Sequence, residues 1–280
     1  MALRASPAVP LVALLTDFGR ADAYAGVLHG VLAAVAPRTR VVDLTHDVPP
    51  QDVRAGAFLL LTAYRYFPPG TVFVAVVDPG VGSERAVLAV RAGGYLFVGP
   101  DNGLLRWAVE DAGGADAAVR VEHPDYRLAP VSATFHGRDV MAPAAAHLSR
   151  GVALSDLGPP AGALSGAPLP RPRPLAAWLG GEVLHVDRFG NCITNLPPLP
   201  GEVRLAGRAA RRVLTYAEGA RAHPGEPVTL AGSAGWLEVA LPGGSAAAAL
   251  GVAPGASAIL TPPQGEPSPE GRAAPERESL

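Results

Sequence analysis

Residues 71–90 read TVFVAVVDPGVGSERAVLAV. The first seven are apolar or β-branched with no polar alternation, the pattern of a strand covered on both faces. The run ends at Asp78; a proline and two glycines then turn the chain, Arg85 follows, and the sequence becomes apolar again. One stretch therefore predicts two buried strands and places a carboxylate and a guanidinium on the turn between them.

The same texture extends outward. Short apolar runs at 10–15, 40–46, 86–92 and 95–100 read as strands. Between and beyond them, spacings of three and four predict helices over 22–37, 51–67 and 104–112, with another from near Arg138 to about Leu148. Alternating strands and helices predict an α/β N-terminal domain over 8–155, its mostly parallel sheet lying between helices. The glycine pair before Tyr95 adds one hairpin, so the sheet is expected to be mixed. Residues 156–180 are dense in Pro, Gly and Ala without a period, as an inter-domain linker is. From 181 to 262 short strands separated by Gly/Pro turns predict a small all-β barrel. The last stretch, 263–280, has almost no apolar residues and reads as a disordered tail.

Composition narrows the function. The formal net charge is −2, which gives no electrostatic footprint for nucleic acid. Charged residues, Gly or Pro interrupt every apolar run before it reaches a membrane span, and the apolar N-terminus leads directly into the first strand, so a cytoplasmic protein is expected. The single cysteine, Cys192, excludes an internal disulfide, and the seven histidines form no HxH or HExxH pattern, so no metal site is expected. There is no lysine, and GxGxxG and P-loop patterns are absent, which argues against a phosphate-binding loop. There is also no GxSxG elbow. Asparagine occurs three times, at 102, 191 and 195, and a residue that rare is a candidate for specific hydrogen bonding.

Three strands of the first half end on acids, Asp17, Asp47 and Asp78. In an open α/β sheet ligands bind beyond the carboxyl ends of the strands. Carboxylates gathered there favour a ligand with hydroxyls or positive charge, although an acid at a strand end also caps helices. Asp78 fits the capping role least, because a second strand follows it. A second polar cluster, SATFHGRDV at 132–140, sets His136 at the start of a predicted helix, where the dipole favours neutral imidazole. A third, HVDRFGNCITN at 185–195, holds Asp187, Asn191 and Asn195, and also reads as a hairpin turn.

Six motifs in order, LTDFG (15–19), DPGVGSER (78–85), GPDNG (99–103), TFHGRD (134–139), DRFGNCITN (187–195) and GSAGWLEVA (232–240), resemble the S-adenosylmethionine hydroxide adenosyltransferase family, relatives of fluorinating and chlorinating enzymes. The resemblance spans residues 10–262. It implies an α/β domain with a C-terminal β-barrel, a homotrimer with active sites between subunits, and hydrolysis of S-adenosylmethionine (SAM) to adenosine and methionine without a cofactor. On the matching positions it implies that Asp78, Arg85 and His136 form the catalytic triad. It assigns Asp17 to the ribose hydroxyls, Phe135 to a face of the ligand, Asp187 to the methionine ammonium, Asn191 to the adenine edge and Ser233 to the methionine carboxylate. Two positions depart from the halogenating relatives, which carry a tyrosine at the place of Asp78 and a serine at that of Gly137. A carboxylate beside a halide site repels the anion. A third departure is Ala234, where those relatives have an arginine beside the serine.

The chemistry expected of the triad is to aim a water at C5′, in line with the bond to sulfur, and to take its proton. His136 and Asp78 would share that work while Arg85 keeps Asp78 ionised. Competing readings are a chloride-using halogenase, a non-catalytic sensor of adenosine or SAM, and, more weakly, methyl transfer.

Overall fold

The computed structural model describes residues 9–175 and 178–261; the tail read over 263–280 lies outside them. The chain forms two compact units, Met1–Leu169 and Pro170–Leu280. In the first, strands β1 (Leu11–Thr16), β2 (Arg40–Thr45), β3 (Val72–Val76), β4 (Val87–Ala92), β5 (Tyr95–Pro100) and β6 (Ala117–Arg120) build one sheet in the order β2-β1-β3-β5-β4-β6. The first four in that order are mutually parallel, and β4 runs antiparallel to both β5 and β6. The expected hairpin is present: Gly93 and Gly94 turn with φ of 53° and 82°, the left-handed pair that a tight hairpin needs. Strand β6 was not foreseen, because only one of its four residues is buried.

Four helices cover the sheet: α1 (Tyr24–Val35), α2 (Val53–Ala63), α3 (Arg106–Asp111) and α4 (Ala142–Ser149). Strand β3 shows why its sequence is apolar throughout. Val72, Val74 and Val76 pack with Leu28, Leu32 and Leu148 of α1 and α4, whereas Phe73 and Ala75 pack on the other face with Leu60 and Ala108 of α2 and α3. Each of these valine, leucine and phenylalanine side chains contributes roughly 1.5–3 kcal/mol. Strand β2 is an edge strand without a fully buried residue, so double-sided burial does not extend to it.

The helix expected from Arg138 opens with a π turn, Gly137–Met141, before α4. Pro143 lacks an N–H and leaves the Asp139 carbonyl without its helical donor. Leu128 N–H supplies the bond at 2.8 Å. The Pro/Gly-rich stretch after α4 is held by side chains of the first unit as far as Leu169, whose N–H donates to Glu110 Oε2 at 3.0 Å. Arg106 Nη1 donates to the carbonyls of Leu164 and Gly166, and Trp107 Nε1 donates to that of Ala167.

In the second unit β7 (Arg173–Leu175), β8 (Trp178–Val186), β9 (Cys192–Thr194), β10 (Glu202–Leu205), β11 (Arg208–Arg212), β12 (Val228–Ala231), β13 (Leu237–Ala240) and β14 (Ser257–Thr261) pair in the order β14-β10-β11-β12-β13-β9-β8-β7. Pairing of β14 with β8 closes seven of them into a barrel, with β7 appended to β8. Val183, Cys192, Val203, Leu237, Val239 and Leu260 fill it. Two short helices, α5 (Tyr216–Ala222) and α6 (Ala246–Leu250), interrupt the all-β reading. Thr215 and Ser245 cap them by accepting from Glu218 N and Ala248 N.

Candidate active site

The chain leaves β1 to form β2 on one side and returns to form β3 on the other, so the carboxyl ends of β1 and β3 flank a topological switch point. A cavity of about 250 Å³ opens there, and its walls include Asp17, Phe18, Gln51, Asp78, Thr134, Phe135 and His136. Two of the three strand-end acids reach it. The third, Asp47, does not line it and pairs instead with Arg20 at 3.4 Å on the surface.

The turn after β3 is built by a close approach. Gly82 has φ of 81°, and a Cβ on it would lie 2.3 Å from the Ala133 carbonyl oxygen. Glycine alone lets this turn press against the segment that carries His136. Arg85 then reaches back: its Nε donates to Asp78 Oδ1 at 2.8 Å and its Nη2 to Asp78 Oδ2 at 2.5 Å. The same Nη2 lies 2.8 Å from His136 Nδ1. The side chains of Arg85 and Asp78 are only 10% and 6% exposed. Asp78 and His136 form part of the cavity wall, whereas Arg85 stands behind them.

A guanidinium can only donate, so His136 Nδ1 is the acceptor and the neutral ring carries its proton on Nε2. Burial lowers the pKa of His136 below the usual histidine value, and the Arg85 charge lowers it further against the opposing pull of Asp78. Burial and Arg85 are thus the named causes, where the sequence pointed to a helix dipole. Nearby Asp139 is buried, which acts to raise its pKa, but hydrogen bonds from Arg138 and Ser132 N outweigh that and leave it lowered. It anchors the loop rather than facing the cavity.

Asp17 Oδ2 accepts from Gln51 N at 2.8 Å, and Gln51 has φ of 65°, a left-handed backbone that a non-glycine residue adopts at a cost of roughly 1–2 kcal/mol. That residue was not singled out in the sequence; no pattern marks a left-handed glutamine. Phe135 sits in an aromatic triangle with Phe18 and Tyr24, with centroids 5.3–5.7 Å apart. Phe18 lies within LTDFG and was legible as a neighbour of Asp17, whereas Tyr24 was not. Gly137 is buried against this group: a Cβ would meet Val76 Cγ1 at 3.3 Å and Phe18 Cζ at 3.4 Å.

The remaining candidates lie in the second unit. Asp187 Oδ1 accepts from the backbone N–H groups of Phe189 and Asn191, and its Oδ2 accepts from Asn191 Nδ2 at 2.9 Å. Asp187 and Asn191 therefore form one hydrogen-bonded pair. Ser233 is exposed on the turn between β12 and β13. The other two asparagines tie backbone: Asn102 Nδ2 donates to the Val77 carbonyl at the end of β3, and Asn195 bridges Glu182 N and the Pro170 carbonyl.

Known proteins resemble this chain along most of its length. The SAM hydroxide adenosyltransferase N-terminal domain matches residues 12–158 and the corresponding C-terminal domain matches residues 181–259. The chain belongs to the SAM hydroxide adenosyltransferase family. The adenosyltransferase N-terminal match contains the cavity with Asp17, Asp78, Arg85 and His136, and the C-terminal match contains Asp187, Asn191 and Ser233. The chain is 47% identical over 253 residues to the (R)-S-adenosyl-L-methionine hydrolase of Salinispora tropica, covering 88% of this chain and 95% of that protein. A fluorinase of an Actinoplanes species is more distant, 28% identical over 217 residues, covering 67% of this chain and 72% of the fluorinase. Among solved structures, a conserved protein of Thermotoga maritima superposes with a TM-score of 0.80 at 31% identity, covering 89% of this adenosyltransferase-family chain and 99% of that one.

Proposed function

We propose that this protein hydrolyses S-adenosyl-L-methionine to adenosine and L-methionine. The observation that carries the reading is the bridge made by Arg85, whose Nη2 reaches both Asp78 Oδ2 and His136 Nδ1 at the wall of the cavity. The similarity to (R)-S-adenosyl-L-methionine hydrolases adds to it, and makes the (R) epimer at sulfur the substrate to try beside the (S) epimer. No cofactor is needed, because the positive sulfonium already makes methionine a good leaving group.

The hydrogen-bond directions divide the labour. His136 presents Nε2–H and donates to the attacking water or the ribose end of the substrate. Asp78 keeps a lone pair on each oxygen beyond those given to Arg85, and takes the proton. Arg85 positions both. The water oxygen attacks C5′, the C5′–S bond breaks, and its electron pair neutralises sulfur as the thioether of methionine. The water proton passes to Asp78 and then to solvent. Holding the water in line removes much of the entropic barrier, and a positioned base adds on the order of 10²–10⁴ in rate. Asp17, oriented by Gln51 N, binds the ribose hydroxyls, and Phe135 packs against the ligand.

Asp187, Asn191 and Ser233 hold the methionine ammonium, the adenine edge and the methionine carboxylate in this reading, within a cytoplasmic homotrimer in which one subunit's second unit completes its neighbour's cavity. No helix among the described residues is long and apolar enough to cross a membrane. Light scattering of the purified protein tests the trimer. Chromatography after incubation with SAM in ¹⁸O-water tests the reaction. The expected product is adenosine labelled at the 5′-hydroxyl. Adenosylhomocysteine would mean methyl transfer, 5′-chloro-5′-deoxyadenosine with chloride present would mean halogenation, and no product with either epimer would leave a binding protein.

A further inference from the structure

A second cluster of polar side chains lies at the edge of the same sheet, apart from the cavity. His29 of α1, Asp43 of β2 and His46, just past the end of β2, turn three donor atoms toward one point, all within 4.8 Å of one another. His29 Nε2 is 2.7 Å and His46 Nε2 3.1 Å from Asp43 Oδ1. The second distance is short enough for a hydrogen bond, but the atoms are misaligned. His46 is 2% exposed, and its buried Nε2 has no hydrogen-bond partner among the described residues. Leaving a buried polar atom unpaired is costly. The ring is nonetheless held in place, with Nδ1 2.8 Å from Thr16 Oγ1 and the His46 carbonyl accepting from Gly19 N at 2.7 Å.

We propose that His29, Asp43 and His46 bind one divalent first-row transition metal ion. Two imidazole nitrogens and one carboxylate oxygen suit zinc or its neighbours and do not suit magnesium or calcium. Tetrahedral bonds of about 2.0–2.1 Å put ligand atoms roughly 3.3 Å apart, so both histidine nitrogens, at 2.7 and 3.1 Å from Asp43 Oδ1, move slightly off the carboxylate while the two rings, whose nitrogens lie within 4.8 Å of each other, close around the ion. The ion supplies the partner that His46 Nε2 lacks. Thr16 Oγ1 acts as the outer partner that fixes the His46 ring, the usual arrangement behind a metal-bound histidine. His29 and Asp43 have side chains 40% and 35% exposed, which leaves the fourth position to water. The ion would clamp α1 to the end of β2. This inference does not depend on the hydrolase reading.

The test uses the full, untagged chain, treated with EDTA and dialysed, titrated with zinc at neutral pH by calorimetry and followed by thermal unfolding. One equivalent bound, with a melting temperature that climbs with free zinc, is expected. Cobalt in the same protein should give the visible bands of a four- or five-coordinate ion. His29→Ala and Asp43→Asn alter partly exposed side chains and should fold as the parent does by circular dichroism. Each should weaken zinc binding at least about tenfold. No heat and no melting shift at millimolar zinc overturns the proposal. So does undiminished binding in either folded variant, which would place the ion elsewhere.

Discussion

Asp78→Asn separates the two tasks assigned to this carboxylate. The substitution keeps the shape, removes the charge and removes the base. If Asp78 accepts the proton from water, turnover falls by about 10²–10⁴, equivalent to roughly 2.7–5.4 kcal/mol of barrier. The same change strands Arg85. Its side chain is 10% exposed and that of Asp78 is 6% exposed, so the pair is buried, and breaking such a pair from one side costs about 3–5 kcal/mol. The asparagine oxygen still accepts from Arg85 Nε, and His136 Nδ1 still accepts from Nη2, so the stability loss should sit near the lower end. Rates of adenosine release at saturating SAM and thermal unfolding on the same samples read the two effects independently. Turnover within about threefold of the parent, a barrier change near 0.6 kcal/mol, would refute the base assignment. An unchanged melting temperature would refute the buried pair.

Three other outcomes follow from the same geometry. His136→Gln, whose amide N–H can replace Nε2–H, should retain at least about tenfold more activity than His136→Ala; equal loss in both would favour a proton-accepting Nε2. The proposed mechanism uses neutral His136, whose folded pKa lies below 6.5, so the acid limb of kcat should fall below pH 6.5. His147 is lowered too, by burial and then Arg150, so the stability both groups lend is complete above about pH 6.5 and is lost as pH drops through their folded values. Denaturant midpoints between neutral pH and pH 5 check that sign. Gly82→Ala should destabilise by about 2–4 kcal/mol, since it combines a φ of 81° with a Cβ 2.3 Å from a backbone oxygen, and a melting temperature equal to the parent's would contradict the packing.

What the sequence disclosed depended on whether the information was local. Strand β3 and its neighbours were legible because burial on both faces forces an apolar run, and the Gly93–Gly94 hairpin because tight turns demand left-handed residues. The approach of Arg85 to Asp78 was visible as two charges on one turn. The meeting with His136 was expected only from the family resemblance and not from local sequence, because it depends on how closely two backbones pass at Gly82 and Ala133. Helices α5 and α6 escaped notice because each is too short for periodicity to declare itself, and strand β6 because only one of its four residues is buried. The asparagines show the limit of rarity as a signal. It pointed correctly to hydrogen bonding, yet Asn102 and Asn195 spend theirs on backbone. The His29–Asp43–His46 cluster has no sequence signature, because Asp43 and His46 at the end of β2 meet His29 of α1 only in the fold.

The preference for water over halide can be derived from which charge faces the cavity. Asp78 lines the wall and Arg85 lies behind it, so an anion entering the cavity meets the carboxylate first. At about 4 Å and an effective dielectric of 20 the carboxylate repels the anion by roughly 4 kcal/mol, and Arg85 at about 8 Å returns roughly 2 kcal/mol. The net repulsion of about 2 kcal/mol weakens binding about thirtyfold. Serine in place of Gly137 would add a hydroxyl but leave the carboxylate, so Gly137→Ser alone should yield no 5′-chloro-5′-deoxyadenosine. Asp78→Asn reverses the field: the wall becomes neutral and the guanidinium behind it uncompensated. Chloride should therefore inhibit residual hydrolysis by Asp78→Asn while leaving the parent unaffected at the same ionic strength, with a larger, poorly coordinating anion as the salt control. Equal chloride sensitivity in parent and variant would show that the carboxylate does not govern which nucleophile enters.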